Sequence, residues 1–131
     1  MVLSRQSGNP LDTVEQVVTT RELMDMQNEA AAVYAKPEVV DYIVSLITAT
    51  RSHKQILRGA SPRGTLAVTA MAKSVAYLSG RDYLLPEDVR TAFPDVVTHR
   101  LLLTPEAELA GASARSMVET ILDKTPAPRL R

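Results

Sequence analysis

The chain has 131 residues, no cysteine, and 15 Lys plus Arg balanced by 15 Asp plus Glu. That length suits one domain with a single core, and the absence of thiols removes disulfide frameworks, cysteine nucleophiles and zinc-finger sites. Zero formal net charge argues against a nucleic-acid partner; with no apolar run of the ~20 residues a membrane span needs and no signal-peptide layout, a soluble cytoplasmic protein is expected.

Residues 1–18 hold Gly8-Asn9-Pro10 and little helical periodicity, which predicts a lead-in segment. Thr19 and Glu22 stand in capping-box spacing. Leu23, Met26, Ala30, Val33 and Tyr34 then recur along one face opposite Arg21, Asp25 and Asn28, predicting a first helix over Thr20 to Tyr34. Pro37 opens a second helix, with Val40, Ile43, Val44 and Ile47 on one side and Glu38, Asp41, Ser45 and Thr48 on the other, ending near Arg51. Arg51 and His53 are placed to meet its last carbonyls and the negative end of its dipole, a structural role that argues against His53 as a metal ligand.

Gly59-Ala60-Ser61-Pro62-Arg63-Gly64 leads into the third helix. Ser61 reads as the N-cap and Pro62 fits the first helical position, where its missing N–H is no loss, so Arg63 falls in the first turn. A cation there is mildly unfavourable unless an anion lies alongside, because the helix N-terminus already carries free N–H groups and partial positive charge. From Thr65 to Ser79 Lys73 is the only charge and apolar side chains take most of the circumference, the pattern of a helix buried inside a domain. Arg63 shares a stripe of small residues with Ala67, Ala70 and Ser74.

Gly80 is a natural left-handed cap for that helix. Tyr83-Leu84-Leu85 and Leu101-Leu102-Leu103 are apolar runs of about strand length that can pair as a small two-stranded ribbon, marginal unless packed on helices. Between them Pro86-Glu87-Asp88 starts a fourth helix with acids at its positive end and Val89, Ala92 and Phe93 on its buried face; Pro94 is expected to break or kink it. Thr104-Pro105-Glu106 begins a helical turn ending at Gly111, and Ser113 caps a last helix carrying Met117, Val118, Ile121 and Leu122. The expected fold class is all-α: a helical bundle over residues 19–124, with room for the ribbon, between the lead-in at 1–18 and a flexible tail at 125–131.

Enzymatic motifs are scarce. Gly59 to Gly64 has the G-x-x-x-x-G spacing of a phosphate loop, but Thr65-Leu66 stands where that motif needs Lys and then Ser or Thr. Nothing there reaches the β and γ phosphates, and no strand supplies a magnesium-binding acid. Histidines 53 and 99 lie far apart, there is no Gly-x-Ser-x-Gly, and Lys73 beside Ser74 reads as ordinary helix surface. Glu22, Asp25 and Glu29 occupy a polar, solvated face.

The order Asp41-Tyr42-Ile43-Val44 through Thr50-Arg51, Gly59-Ala60-Ser61-Pro62-Arg63, Gly80-Arg81-Asp82-Tyr83 with Pro86-Glu87-Asp88-Val89, and His99-Arg100-Leu101 closely resembles the C-terminal lid of MoxR-type AAA+ ATPases, over about residues 8 to 126. The resemblance implies that Arg63 is the sensor 2 residue, with Ser61 and Pro62 beside it, reaching from the lid to the γ-phosphate of ATP held with Mg2+ by a preceding α/β domain. A guanidinium suits phosphate geometry, which agrees with an arginine at a helix start. Also implied are a homo-oligomeric ring, coupling of ATP hydrolysis to chaperone-like assembly or activation of partner proteins, and von Willebrand factor A domain proteins among those partners. Walker A, Walker B and the arginine finger are not in these residues, so the chain is expected to be the lid portion of a longer ATPase, inactive alone. Gly64 stands where relatives often have alanine, which weakens the helix by up to about 1 kcal/mol. Two other readings remain open. One is a free-standing helical interaction module whose apolar stripe docks a partner helix while Arg63 contacts a carboxylate. The other is a helical DNA-binding transcriptional regulator, suggested by the helix starting at Pro86 and by the regulator label often attached to MoxR relatives.

Overall fold

A computed structural model describes residues 13–129. Six α-helices lie among them: α1 (Thr20–Ala32), α2 (Pro37–Ser52), α3 (Pro62–Leu78), α4 (Pro86–Val97), α5 (Pro105–Leu109) and α6 (Ala114–Lys124). Strands β1 (Ile56–Arg58) and β2 (Leu102–Leu103) form an antiparallel ribbon, and a 3-10 turn (Thr98–Arg100) follows α4. The lead-in before Thr13 and the last two residues of the tail lie outside the described residues.

The helix starts follow local chemistry. The Thr19 hydroxyl accepts the Glu22 N–H at 3.2 Å while the Glu22 carboxylate accepts the Thr19 N–H at 2.7 Å, a closed capping box. Thr104 and Ser113 cap α5 and α6 through their hydroxyls, and Pro37, Pro62 and Pro86 sit at helix starts where their missing N–H costs nothing. Gly80 and Gly111, at φ 71° and 82°, reverse the chain after α3 and α5 in a conformation a Cβ would strain.

The core lies between α2, α3, α4 and α6. Ile43, Leu46 and Ile47 of α2, Val68 of α3, Val89, Phe93 and Val97 of α4, and Val118 and Ile121 of α6 are almost wholly enclosed. α2 is rotated from its expected orientation: Val39, Tyr42, Ile43, Leu46, Ile47 and Thr50 point inward, leaving Val40 and Val44 at the surface. Helix α3 packs most extensively on α4, and only Gly64, Val68, Ala72 and Ala76 are buried. Those four recur every fourth residue, a single stripe along the axis. Leu66 and Leu78 remain 72% and 82% exposed, so α3 is a helix enclosed on one side rather than a buried rod.

Helix α1 buries no side chain, and Leu23, Met26 and Tyr34 on its expected apolar face are exposed; Val33, just past its end, is the buried member. Its periodicity is amphipathic, but α3 is its principal wall here. Polar anchors hold it: the Lys73 ammonium donates to the Ala31 carbonyl at 2.8 Å, and the Tyr77 hydroxyl donates to Glu29 at 2.6 Å. Glu29 is thus an acceptor between helices, not simply a solvated acid. Accepting that hydrogen bond, its carboxylate raises the Tyr77 hydroxyl above the ordinary tyrosine value.

Two local expectations change. The leucine run at 101–103 does enter a ribbon, but its partner is β1, with Ile56 opposite Leu103 and Arg58 opposite Leu102. Tyr83 instead forms a parallel bridge to Tyr34, because the Tyr34 N–H donates to Asp82 O and the Leu84 N–H to Tyr34 O, both at 2.8 Å. Pro94 does not end α4. It is buried within the helix, and its carbonyl accepts the backbone N–H and the hydroxyl of Thr98, so the chain continues helically past it.

Candidate functional site

The last turn of α2, the loop at Gly59-Ala60-Ser61 and the first turn of α3 make one unit. Thr50 is wholly buried; its hydroxyl donates to the Ile47 carbonyl at 2.6 Å and accepts the Ala60 N–H at 3.0 Å. Arg51 does not turn back on the carbonyls of its own helix as expected. Its Nε donates across the loop to the Ala60 carbonyl at 2.7 Å, because the loop runs directly past the helix end. Both backbone polar atoms of Ala60, a residue 1% exposed, are therefore held by neighbouring side chains of one helical turn. Gly59 permits the approach: a Cβ on it would lie 2.5 Å from the Thr50 carbonyl oxygen.

Ser61, with φ −81° and ψ 168°, has the extended backbone of an N-cap, and its carbonyl accepts the Gly64 N–H at 2.8 Å. Its hydroxyl makes no capping bond, so Ser61 starts the helix by backbone conformation rather than by side-chain capture. Pro62 follows in the first turn, and Gly64 is buried, with room for a Cβ only 3.3 Å from that of Ala60. Ser61, Pro62 and Arg63 are all exposed. Among the described residues the ion pairs are Arg81–Asp88, Arg90–Asp123, Arg115–Asp95 and Arg115–Glu119; Arg63 takes part in none of them. From Tyr42 to Arg81 the sequence contains no carboxylate, so none from that stretch competes for its guanidinium. Among the described residues, then, Arg63 is an exposed cation outside every ion pair, in the first turn of a 17-residue helix whose N-terminus carries partial positive charge.

The small-residue stripe continuing from Arg63 has a structural occupant. Ala70 and Ser74 face Ala30 and Ala31 of α1 across a shallow groove, where small side chains let the two helices approach. Lys73 and Ser74 do not form a pair: Lys73 reaches α1, and the Ser74 hydroxyl donates to the Ala70 carbonyl at 3.0 Å. His53 stays local, its Nδ1 accepting the Gln55 N–H at 3.3 Å.

At the other end of α3, Arg81 grips Asp88 in a two-pronged pair at 2.7 and 2.5 Å, and Asp88 also accepts the Leu85 N–H at 2.9 Å. Burial pushes the Asp88 carboxyl up, but the Arg81 and Leu85 hydrogen bonds outweigh it and hold the group below the usual carboxylate value. Sequence reading placed Asp88 correctly at a helix start but missed Arg81. The signal was an arginine seven residues before an acid at the third helical position, across a turn short enough to close.

A sequence profile of the AAA lid domain matches residues 48–121. The chain is 34% identical to the uncharacterized protein YeaC of Bacillus subtilis over 97% of its own length and 40% of that protein. It is 34% identical to the chaperone MoxR1 of Mycobacterium tuberculosis over 88% of the chain and 33% of the relative, and 32% identical to the protein MoxR of Methylorubrum extorquens over 74% and 32%. A crystal structure of a candidate ATPase from Cytophaga hutchinsonii superposes with a TM-score of 0.85 at 32% identity, covering 97% of this chain and 41% of that one. The chain thus spans between 32% and 41% of these proteins.

Proposed function

The chain belongs to the AAA lid domains, in the MoxR branch of the AAA+ ATPases, and from that premise we propose that it works as the nucleotide-sensing lid of an ATP-driven assembly. Arg63 is the sensor 2 residue in this reading, with Ser61 and Pro62 shaping the helix start beside it. The observation that carries it is the state of Arg63: exposed, outside every ion pair among the described residues, and at a helix N-terminus that electrostatics would otherwise keep free of cations. The fit is to an anion. ATP, bound with Mg2+ on the ATPase core, would supply the terminal phosphate charge for a planar guanidinium to pair with. Arg63 would bind that oxyanion, and α3 would carry the resulting displacement into α2 and α4, which pack against it.

In a homo-oligomeric ring such movement couples hydrolysis to neighbouring subunits and to remodelling of client proteins. A chaperone named MoxR1 among the relatives supports this reading, and von Willebrand factor A domain proteins are the client class we propose. Arg63→Ala, made in the ATPase that joins this lid to its nucleotide-binding core, should lower kcat at least tenfold, on the scale of losing a transition-state contact, with the melting temperature unchanged. Wild-type steady-state kinetics would refute the sensing role.

The exposed Leu23, Met24, Leu66 and Leu78 favour a second reading, a free-standing helical interaction module. It predicts that the chain binds its partner without any ATPase core and that Arg63→Ala leaves every nucleotide-dependent property unmoved. A DNA-binding role predicts a salt-dependent gel shift, which the lid reading does not.

A further inference from the structure

We infer that Thr50 and Arg51 are positioning residues for Arg63, the last turn of α2 gripping the backbone of Ala60 so that the guanidinium is presented from a fixed point. The inference rests on the sensing role proposed above. Three contacts meet at this point. The Thr50 hydroxyl accepts the Ala60 N–H, the Arg51 Nε donates to the Ala60 carbonyl, and the missing Cβ of Gly59 lets the loop lie against the Thr50 carbonyl. Only Ser61 and Pro62 separate Ala60 from Arg63, and the pyrrolidine ring fixes one of the intervening dihedrals. On its far side Gly64 sits against Ala60 and Ile47, so the first turn of α3 has little freedom to roll relative to α2.

Phosphate recognition by one arginine depends on placement, and a 1 Å displacement of a positioned group can cost about a hundredfold in rate. A loop held only by its own backbone would leave the Cα from which Arg63 extends free to shift. The Ala60 clamp ties it instead to the α2–α3 pair. Arg51 belongs to this clamp through its Nε, not through its charge. That distinction is testable because glutamine carries its amide nitrogen the same number of bonds from Cα as the arginine Nε.

The experiment uses the ATPase that joins this lid to its core, assayed well below its melting temperature. Thr50→Val and Arg51→Met should each lower kcat about tenfold with KM for ATP little changed, since placement acts on the transition state. Thr50→Ser and Arg51→Gln should retain most of the activity, because each keeps the hydrogen bond to Ala60. Added to Arg63→Ala, neither Thr50→Val nor Arg51→Met should reduce kcat further. Arg51 is exposed, so Arg51→Met does not depend on refolding the core. The clamp is overturned if Arg63→Ala is slow while Arg51→Met turns over normally, if the effects multiply, or if Arg51→Gln is as slow as Arg51→Met. An inert Arg63→Ala overturns the sensing reading itself, and the clamp with it.

Discussion

Asp88 shows how much one side chain contributes when its partners are fixed. It is 4% exposed and accepts two hydrogen bonds from Arg81 and one from the start of its own helix. Asp88→Asn removes the charge and leaves a single amide oxygen where two carboxylate oxygens served Arg81 and the helix start. The expected cost is about 3 kcal/mol, read as a lower midpoint in urea unfolding with an unchanged slope. Because the folded carboxyl is held below its ordinary value, the unfolded chain binds more protons in acid. Its contribution is present above the ordinary value of 3.8 and is lost as pH falls through the folded value. The stability gap between wild type and Asp88→Asn should therefore narrow below about pH 4; a gap independent of pH would contradict the ion pair. Arg63 was legible at this scale, since Ser61-Pro62 sets the helix start and the first-turn position follows from it. Thr50 was not, because a buried threonine near a helix end looks the same in sequence whether its hydroxyl serves its own helix or a loop ten residues on.

Among the elements, α1 depends most on polar anchors. It contributes no buried side chain, so Lys73 and Tyr77 carry much of its attachment to α3. Lys73→Met should speed hydrogen exchange of the amides at the end of α1 several-fold while the melting temperature of the bundle barely moves; equal protection in both proteins would show that apolar contact alone holds it. The raised Tyr77 value makes its contribution to the Glu29 contact complete below the ordinary tyrosine value near pH 10 and lost as pH rises through the folded one. Helix boundaries other than the end of α4 were readable to within about two residues because capping boxes, helix-start prolines and left-handed glycines are local signals. The pairing in the ribbon was not, since three residues at Ile56–Arg58 are too few to show alternation and which segment lies beside Leu102–Leu103 depends on what the helices bring alongside. Of the expected break or kink at Pro94, the break does not occur: proline's local penalty is real, but α4 runs through this buried position to Val97.

For the molecule as a whole, the lid reading predicts little affinity for nucleotide when this chain is alone. One exposed arginine offers a single charge-assisted contact, worth only a few kcal/mol before the entropy of association is subtracted. Titration calorimetry of the 131-residue chain with ATP should show no saturable heat at micromolar concentrations; a tight isotherm would mean a binding site that sensor 2 alone does not explain. No helix among the described residues is long and apolar enough to cross a membrane. What the amino-acid order determined unaided was the all-helical class, most helix ends, and an arginine at the mouth of the third helix, all of which depend on residues within a few positions of one another. Which face of each helix is covered, which strand pairs with which, and that Ala60 is held from two sides by α2 were decided only in three dimensions. Those outcomes depend on surfaces meeting across tens of residues, and the same amphipathic pattern is satisfied by a wall inside the chain, as in α4, or left open along one side, as in α1.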